Sequence, residues 1–290
     1  MLQNAIEMTA KASPKIAKVR VRRFDPERKG LPAETEHEVE ITPTKTVLAA
    51  LLEIQAKDDS SLSFRASCRH GACGSCTIEI NGRPRLACNR LLQNEVDRRG
   101  HVALGPMPGV PVKRDLVVDL APFWKAYRDA KPWLVRDENR APRREFRVRP
   151  EDVAAFEGAD ACILCAACWS ACPVTRAGRF DGPHALLKTH LRVCDPRDEA
   201  PRDRLRGVAD DFGAFRCHGV LACASVCPKG IDVSEAVFAL RANMTHVNDI
   251  ESEREDRRLA ILGPARDASP RAAADLAEAH AKASLPERAP

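Results

Sequence analysis

The stretch Cys68-Arg69-His70-Gly71-Ala72-Cys73-Gly74-Ser75-Cys76, with Cys88 following it, decides how the first half of this chain is read. A C-x4-C-x2-C run with one later cysteine is the spacing of the plant-type [2Fe-2S] loop. Gly71 and Gly74 let a tight loop wrap an inorganic core, and Ser67, Ser75 and backbone N–H groups can hydrogen-bond to sulfur and tune its potential. A four-cysteine zinc site is the alternative, which the wide first gap in a glycine-rich loop disfavours.

Working outward, Lys18 to Phe24 alternates apolar and polar residues, as does Glu38 to Ile41, and both read as half-buried strands. Thr46 to Ile54 has helical apolar spacing, with Thr44 or Thr46 as its cap. Thr77 to Ile80 reads as a strand, and the Asn81-Gly82 hairpin signal leads to a second strand, Arg85 to Cys88, from which Cys88 closes the site. A small mixed sheet crossed by one helix is expected, spanning 18–120 after a flexible tail at 1–17.

A second constellation, Cys162-x2-Cys165-x2-Cys168-x3-Cys172-Pro173, is the bacterial ferredoxin run, in which three cysteines hold one cubane and the fourth reaches a different cluster. Cys217-x5-Cys223-x3-Cys227-Pro228 supplies that other group. The natural crossing gives Cys162, Cys165, Cys168 and Cys227 to a [4Fe-4S] site, and Cys172, Cys217 and Cys223 to another. Cys194 stands outside every motif, so the last site is either a three-ligand [3Fe-4S] centre beside an inert thiol or a second cubane that recruits Cys194.

Helical stretches at Val153–Phe156, Ala185–Arg192 and Ser234–Met244 alternate with these runs, so 151–245 reads as mostly helical. Residues 121–150, rich in proline and arginine, read as a connecting region that packs locally or as a solvated linker. Its basic end, Arg140 to Arg149, reads as a solvated or subunit-facing surface. The Ala/Pro-rich, charged segment 246–290 reads as disordered.

Composition bounds the rest. At 290 residues the chain is long enough for two domains, and its net charge of +5 with 4% aromatics argues against a dedicated nucleic-acid binder. No run reaches the ~18 apolar residues that cross a bilayer. Nothing near Met1 resembles a secretion or transit signal, so the expected setting is reducing and cytoplasmic. There is no G-x-G-x-x-G or phosphate loop and no acid-base constellation, so substrate chemistry belongs to another subunit.

The run Phe64 to Cys76, with Asn81-Gly82 and Leu86-Ala87-Cys88, closely resembles the iron-sulfur subunit of succinate dehydrogenases and fumarate reductases. Cys162-Ile163-Leu164-Cys165, Gly182-Pro183, Asp195-Pro196-Arg197-Asp198 and Cys223 to Lys229 match further landmarks in order, over about Lys18 to Asn243. The resemblance implies an α+β chain: an N-terminal β-grasp [2Fe-2S] domain, then an all-α helical ferredoxin domain carrying [4Fe-4S] and [3Fe-4S] centres. It also implies a FAD-containing flavoprotein partner, membrane-anchor subunits with or without haem b, a quinone, no nucleic acid, and a peripheral place on the cytoplasmic face of the bacterial inner membrane. The family's cubane-versus-three-iron switch position falls on Val220, a non-cysteine that supports [3Fe-4S]. Pro173 and His218 match quinone-proximal positions. The tryptophan expected five residues after Cys172 is replaced by Ala177, which points away from the usual ubiquinone pocket and towards a menaquinone-type or altered membrane partner. Trp169 is read as cluster shielding or core packing, with an electron relay as the alternative. Fumarate reduction, or service as a soluble adaptor for another flavoprotein, are the alternatives.

Overall fold

The computed structural model describes residues 15–27, 33–137, 145–178 and 180–245. The expected tails, except Lys15 to Ala17 of the first, and part of the basic stretch Arg140 to Arg149 lie outside the described residues.

The first unit is built on β1 (Ile16–Arg23), β2 (Ala33–Glu40), α1 (Val47–Lys57), β3 (Thr77–Ile80), β4 (Arg83–Leu86), the one-turn α2 (Leu92–Glu95) and β5 (His101–Gly105). The strands form one five-stranded mixed sheet in the order β2-β1-β5-β3-β4, with β1 parallel to β5 and the other neighbours antiparallel. Thr46 caps α1, its hydroxyl accepting from the Ala49 N–H at 3.1 Å, and the helix turns Val47, Leu48, Leu51 and Ile54 towards the sheet. Val19, Val21, Ile78, Ile80, Val102 and Leu104 supply the facing layer by strand alternation. At full burial each such side chain is worth roughly 1.5–3 kcal/mol.

Two sequence expectations are corrected here. The strand after the Asn81-Gly82 turn starts at once at Arg83 and stops at Leu86, so Cys88 lies on a 3-10 turn, Ala87–Asn89, and not on a strand. Both turn residues have positive φ, 49° and 80°, giving a tight two-residue hairpin that starts the pairing early. The N-terminal boundary also moves, because Ile16 and Ala17 already pair with β2 and Ala17 is fully buried.

A small hairpin, β6 (Val112–Arg114) and β7 (Val117–Val118), leads to α3 (Ala121–Asp129). Described residues of the connecting region are no solvated linker. Phe123 is fully buried and packs with Met107, Val110 and Val118 of the first unit and Ala166 and Trp169 of the second. The following strap is clamped as well. Arg204 and Asp198 form a buried ion pair at 2.7 Å, Arg204 also donates to the carbonyls of Lys131 and Trp133, and Asp198 accepts from the Val135 N–H at 3.0 Å.

Beyond this point the described elements are helices and turns: α4 (Pro150–Ala154), α5 (Ala167–Ala171), α6 (Pro173–Arg176), α7 (Pro183–Cys194), α8 (Pro201–Gly207), α9 (Ala222–Ser225) and α10 (Val233–Thr245). The long α7 and α10 pack together and carry most of the apolar residues, while the very short α5, α6 and α9 sit beside the cysteines. Helices of one turn cannot persist alone, so their form depends on what packs against them. The two units meet where Ile163 and Cys165 pack on the first unit's core and the Ser170 hydroxyl donates to the Pro108 carbonyl at 2.7 Å.

Candidate iron-sulfur sites

The first cysteine loop leaves Leu62 at the end of the α1 connection and returns at β3. Arg69, Gly71 and Gly74 all take positive φ, 63°, 78° and 73°, which turns successive backbone N–H groups inward. Gly71 N–H donates to Cys88 Sγ at 3.2 Å, Ala72 and Cys73 N–H donate to Cys68 Sγ at 3.4 and 3.3 Å, and Cys88 N–H donates to Cys76 Sγ at 3.5 Å. These donors favour sulfur as thiolate. The backbone donor of His70 comes first among those holding the Cys68 thiol down to about 6, while the Ser75 side chain leads in lowering Cys73. Cys76 behaves oppositely, pushed up to about 12 by burial. Cys68 and Cys73 are therefore poised to ionise, whereas Cys76 needs a compensating positive centre.

In the second unit, Cys162, Cys165, Cys168 and Cys227 line one cavity, together with Pro228, His184 and Lys229. Cys172, Cys217 and Cys223 line another, with Pro173, His218, Val220 and Leu221. The structure thus brings together the residues of each group predicted from the spacing, including the crossing of Cys227 and Cys172. Non-glycine residues at positive φ make these loops: Leu164 at 54°, Ala166 at 63° and Leu221 at 61°. Such conformations cost about 1 kcal/mol or more and mark loops held by their surroundings. Gly219 N–H donates to Cys217 Sγ at 3.5 Å. Burial pushes Cys165 and Cys223 up to about 11 and Cys168 well above its ordinary value, and neighbouring sulfurs push in the same direction.

Among the described residues, no three His, Cys, Asp or Glu side chains converge closely enough to hold a single metal ion. In the second unit each group of sulfurs lines a cavity, which suits a polynuclear centre. With inward N–H donors and all-sulfur donor sets, the residues present fit iron-sulfur clusters.

Cys194 lines neither cavity; it packs against the same apolar cluster as Cys162, Cys168 and Cys227, with its sulfur 3.6 Å from His190 Nδ1 one helical turn back. Trp169 packs edge-on against Phe123, with ring centroids 6.0 Å apart, and does not line the Cys162 cavity. Ala177 is exposed just after α6. Two residues were not foreseen. His184 is fully buried, stacked on Phe123 at 3.9 Å, with Nε2–H donating to the Phe123 carbonyl, and burial holds its pKa down to about 3. Lys188 donates from a buried position to the Ala159 carbonyl at 2.9 Å, and burial lowers its pKa. Both lie on α7, whose helical spacing was legible although nothing in it shows that its polar side chains face inward.

Comparison with known proteins agrees with this geometry. Residues 18–125 match the model of a 2Fe-2S iron-sulfur cluster binding domain, and residues 158–231 that of a 4Fe-4S dicluster domain. The succinate dehydrogenase iron-sulfur subunit of Coxiella burnetii is 35% identical over 227 residues, covering 77% of this chain and 95% of that protein. A chain from the Mycobacterium smegmatis Sdh1 complex in the apo form superposes with a TM-score of 0.72 at 28% identity, over 81% of this chain and 97% of that one. A hypothetical protein from Helicobacter pylori shares the fold alone, with a TM-score of 0.50 at 15% identity, over 79% of this chain and 40% of its own. With both domains in order and nearly the whole length of the Coxiella protein covered, the chain belongs to the succinate dehydrogenase iron-sulfur subunit family.

Proposed function

We propose that this chain is the electron-transfer subunit of a succinate:quinone oxidoreductase, with no substrate site of its own. In this reading 18–120 is a β-grasp domain, 121–150 a connection and 151–245 an all-α ferredoxin domain. Cys68, Cys73, Cys76 and Cys88 hold [2Fe-2S]; Cys162, Cys165, Cys168 and Cys227 hold [4Fe-4S]; Cys172, Cys217 and Cys223 hold [3Fe-4S]. When bound, these centres carry single electrons between a flavin and a quinone in either direction. The protein's part is to place the sulfurs, donate backbone hydrogen bonds to them and exclude water, which together set each potential.

The observation that carries the reading is the separation of eleven cysteines into sulfur groups of four, four and three, the second seated directly against the first. For the last group, Val220, a non-cysteine at the position the family resemblance marks as the cubane-versus-three-iron switch, lines the cavity and Cys194 lies outside it, which supports [3Fe-4S].

That third site opens on an apolar surface. Phe215, Val220 and Leu221 are 55%, 57% and 51% exposed, and His218 and Pro173 are exposed on the same cavity. An exposed apolar patch of this kind marks an interaction surface. It supports membrane-anchor subunits as the partner there, with quinone near Pro173 and His218 and a FAD subunit at the other end of the wire. No helix among the described residues is long and apolar enough to cross a membrane, so attachment through partners on the cytoplasmic face of the inner membrane fits the chain. Ala177 suits a menaquinone-type or otherwise altered site.

Anaerobic purification of the native complex tests this. A flavoprotein and membrane subunits should copurify, succinate should reduce quinone, and the oxidised sample should show a [3Fe-4S] EPR signal. A colourless preparation without acid-labile sulfide would overturn the assignment. His218→Ala that leaves quinone reduction and affinity unchanged would remove the quinone role of that residue.

A further inference from the structure

Gly74 lies between Cys73 and Cys76, in the loop around the first group of sulfurs. A Cβ built on it would stand 2.8 Å from both Cα and Cβ of Cys165, and 3.1 Å from the Ile163 carbonyl oxygen. Cys165 belongs to the second group. The two ligand loops therefore touch backbone to backbone, with hydrogen as the only side chain that fits. Around the touch point is a cavity of about 130 Å³, lined by Cys73, Gly74, Met107, Trp124, Leu164 and Cys165. Packing beside the contact is thus thinner than at the contact itself.

We propose that Gly74 is a positioning residue for electron transfer between the first and second centres, holding the two ligand loops at contact distance. The inference rests on the ligand sets proposed above. One electron leaves the reduced [2Fe-2S] centre and reduces the oxidised [4Fe-4S] centre; no proton moves and no bond changes at Gly74. One short route runs from Cys73 through one peptide to Gly74, crosses one van der Waals gap, and enters Cys165. Tunnelling falls exponentially with the width of such a gap, so the residue acts by keeping it closed.

Gly74 is also at φ +73°, and any side chain there is strained whatever the space around it. Gly82, in the turn between β3 and β4 and outside the ligand loops, separates the two effects: it has φ +80°, the same strain, but a Cβ on it meets nothing within 4 Å. Ile163→Ala loosens the opposing loop without touching Gly74, since Ile163 packs on the first unit's core.

The test uses the purified native complex carrying Gly74→Ala, Gly82→Ala or Ile163→Ala, with iron and acid-labile sulfide measured first. In fully reduced samples, the magnetic splitting between the two centres reports their separation, and rapid-freeze reduction reports the rate between them. Gly74→Ala should weaken the splitting and slow transfer several-fold, Ile163→Ala should do so to a smaller degree, and Gly82→Ala should leave both as in the wild type. If Gly74→Ala does not assemble, Ile163→Ala decides. The proposal is overturned if Gly74→Ala and Ile163→Ala behave as wild type, or if Gly82→Ala weakens the splitting as much as Gly74→Ala. A wild-type sample lacking two coupled paramagnetic centres would instead sink the ligand assignment itself.

Discussion

The two halves of the chain hold their sulfurs by opposite means. In the first, a core of sheet and helix from Ala17 to Leu116 closes largely without the cysteines, and the loop lies on its edge with Cys73 exposed and Cys68 lowered to about 6. In the second, the cysteines border the cores themselves, on helices of one turn, and burial pushes Cys165 and Cys223 up to about 11. The lesson concerns order of assembly. The first unit has a sheet and a long helix to form its core, whereas the second carries cysteines on one-turn helices that hold their form only through what packs against them, so its folding is expected to couple to metal binding.

The largest effect should come from stripping iron with a chelator under reducing conditions. Circular dichroism and limited proteolysis should then show the helical half lost and residues of the first sheet protected. Retention of the helical signal would break the contrast.

Next is Phe123→Ala, which empties the junction between the halves and should cost about 3–5 kcal/mol, as for other fully buried phenylalanines. The expected calorimetric trace is two separated transitions in place of one. A single transition shifted down would show that the halves are coupled through other contacts.

A smaller effect is pH-dependent. His184 has its pKa held down to about 3 by burial, against an ordinary value of 6.5, so the unfolded chain takes up the proton first. Its contribution is intact above about pH 6.5 and falls by about 1.4 kcal/mol per pH unit below it, down towards 3. The melting temperature of His184→Leu should therefore depend less steeply on pH between 6.5 and 5 than that of the wild type. Parallel profiles would show that other groups carry the acid sensitivity of the second half.

The smallest is Val220→Cys, which offers a fourth sulfur in the wall of the last cavity. One extra iron atom and loss of the oxidised [3Fe-4S] EPR signal are expected, with no change in fold by circular dichroism.

What was legible in the sequence followed from local chemistry. Thr46 before an apolar helical run and Asn81-Gly82 between strands act within a few residues and are where the reading placed them, and the cysteines of the second half line two cavities in the groups their spacing suggests. What escaped depends on distant partners. β5 is five residues long and owes its place to pairing with β1 and β3, and Phe123 sits in a charged, proline-rich stretch whose composition hides one buried ring. Leu164, Ala166 and Leu221 adopt conformations that their residue types disfavour, so only the surrounding loops reveal them. Gly74 was read as a turn residue, and its positive φ agrees; its contact with Cys165 joins positions ninety-one apart in the chain.

The buried pair of Arg204 with Asp198 has a consequence for docking. With that guanidinium riveting the carbonyls of Lys131 and Trp133, and the carboxylate holding Val135, the stretch from Lys131 to Val135 is fastened to the second half. A partner that grips this stretch therefore grips the helical half with it, and the two present one docking face.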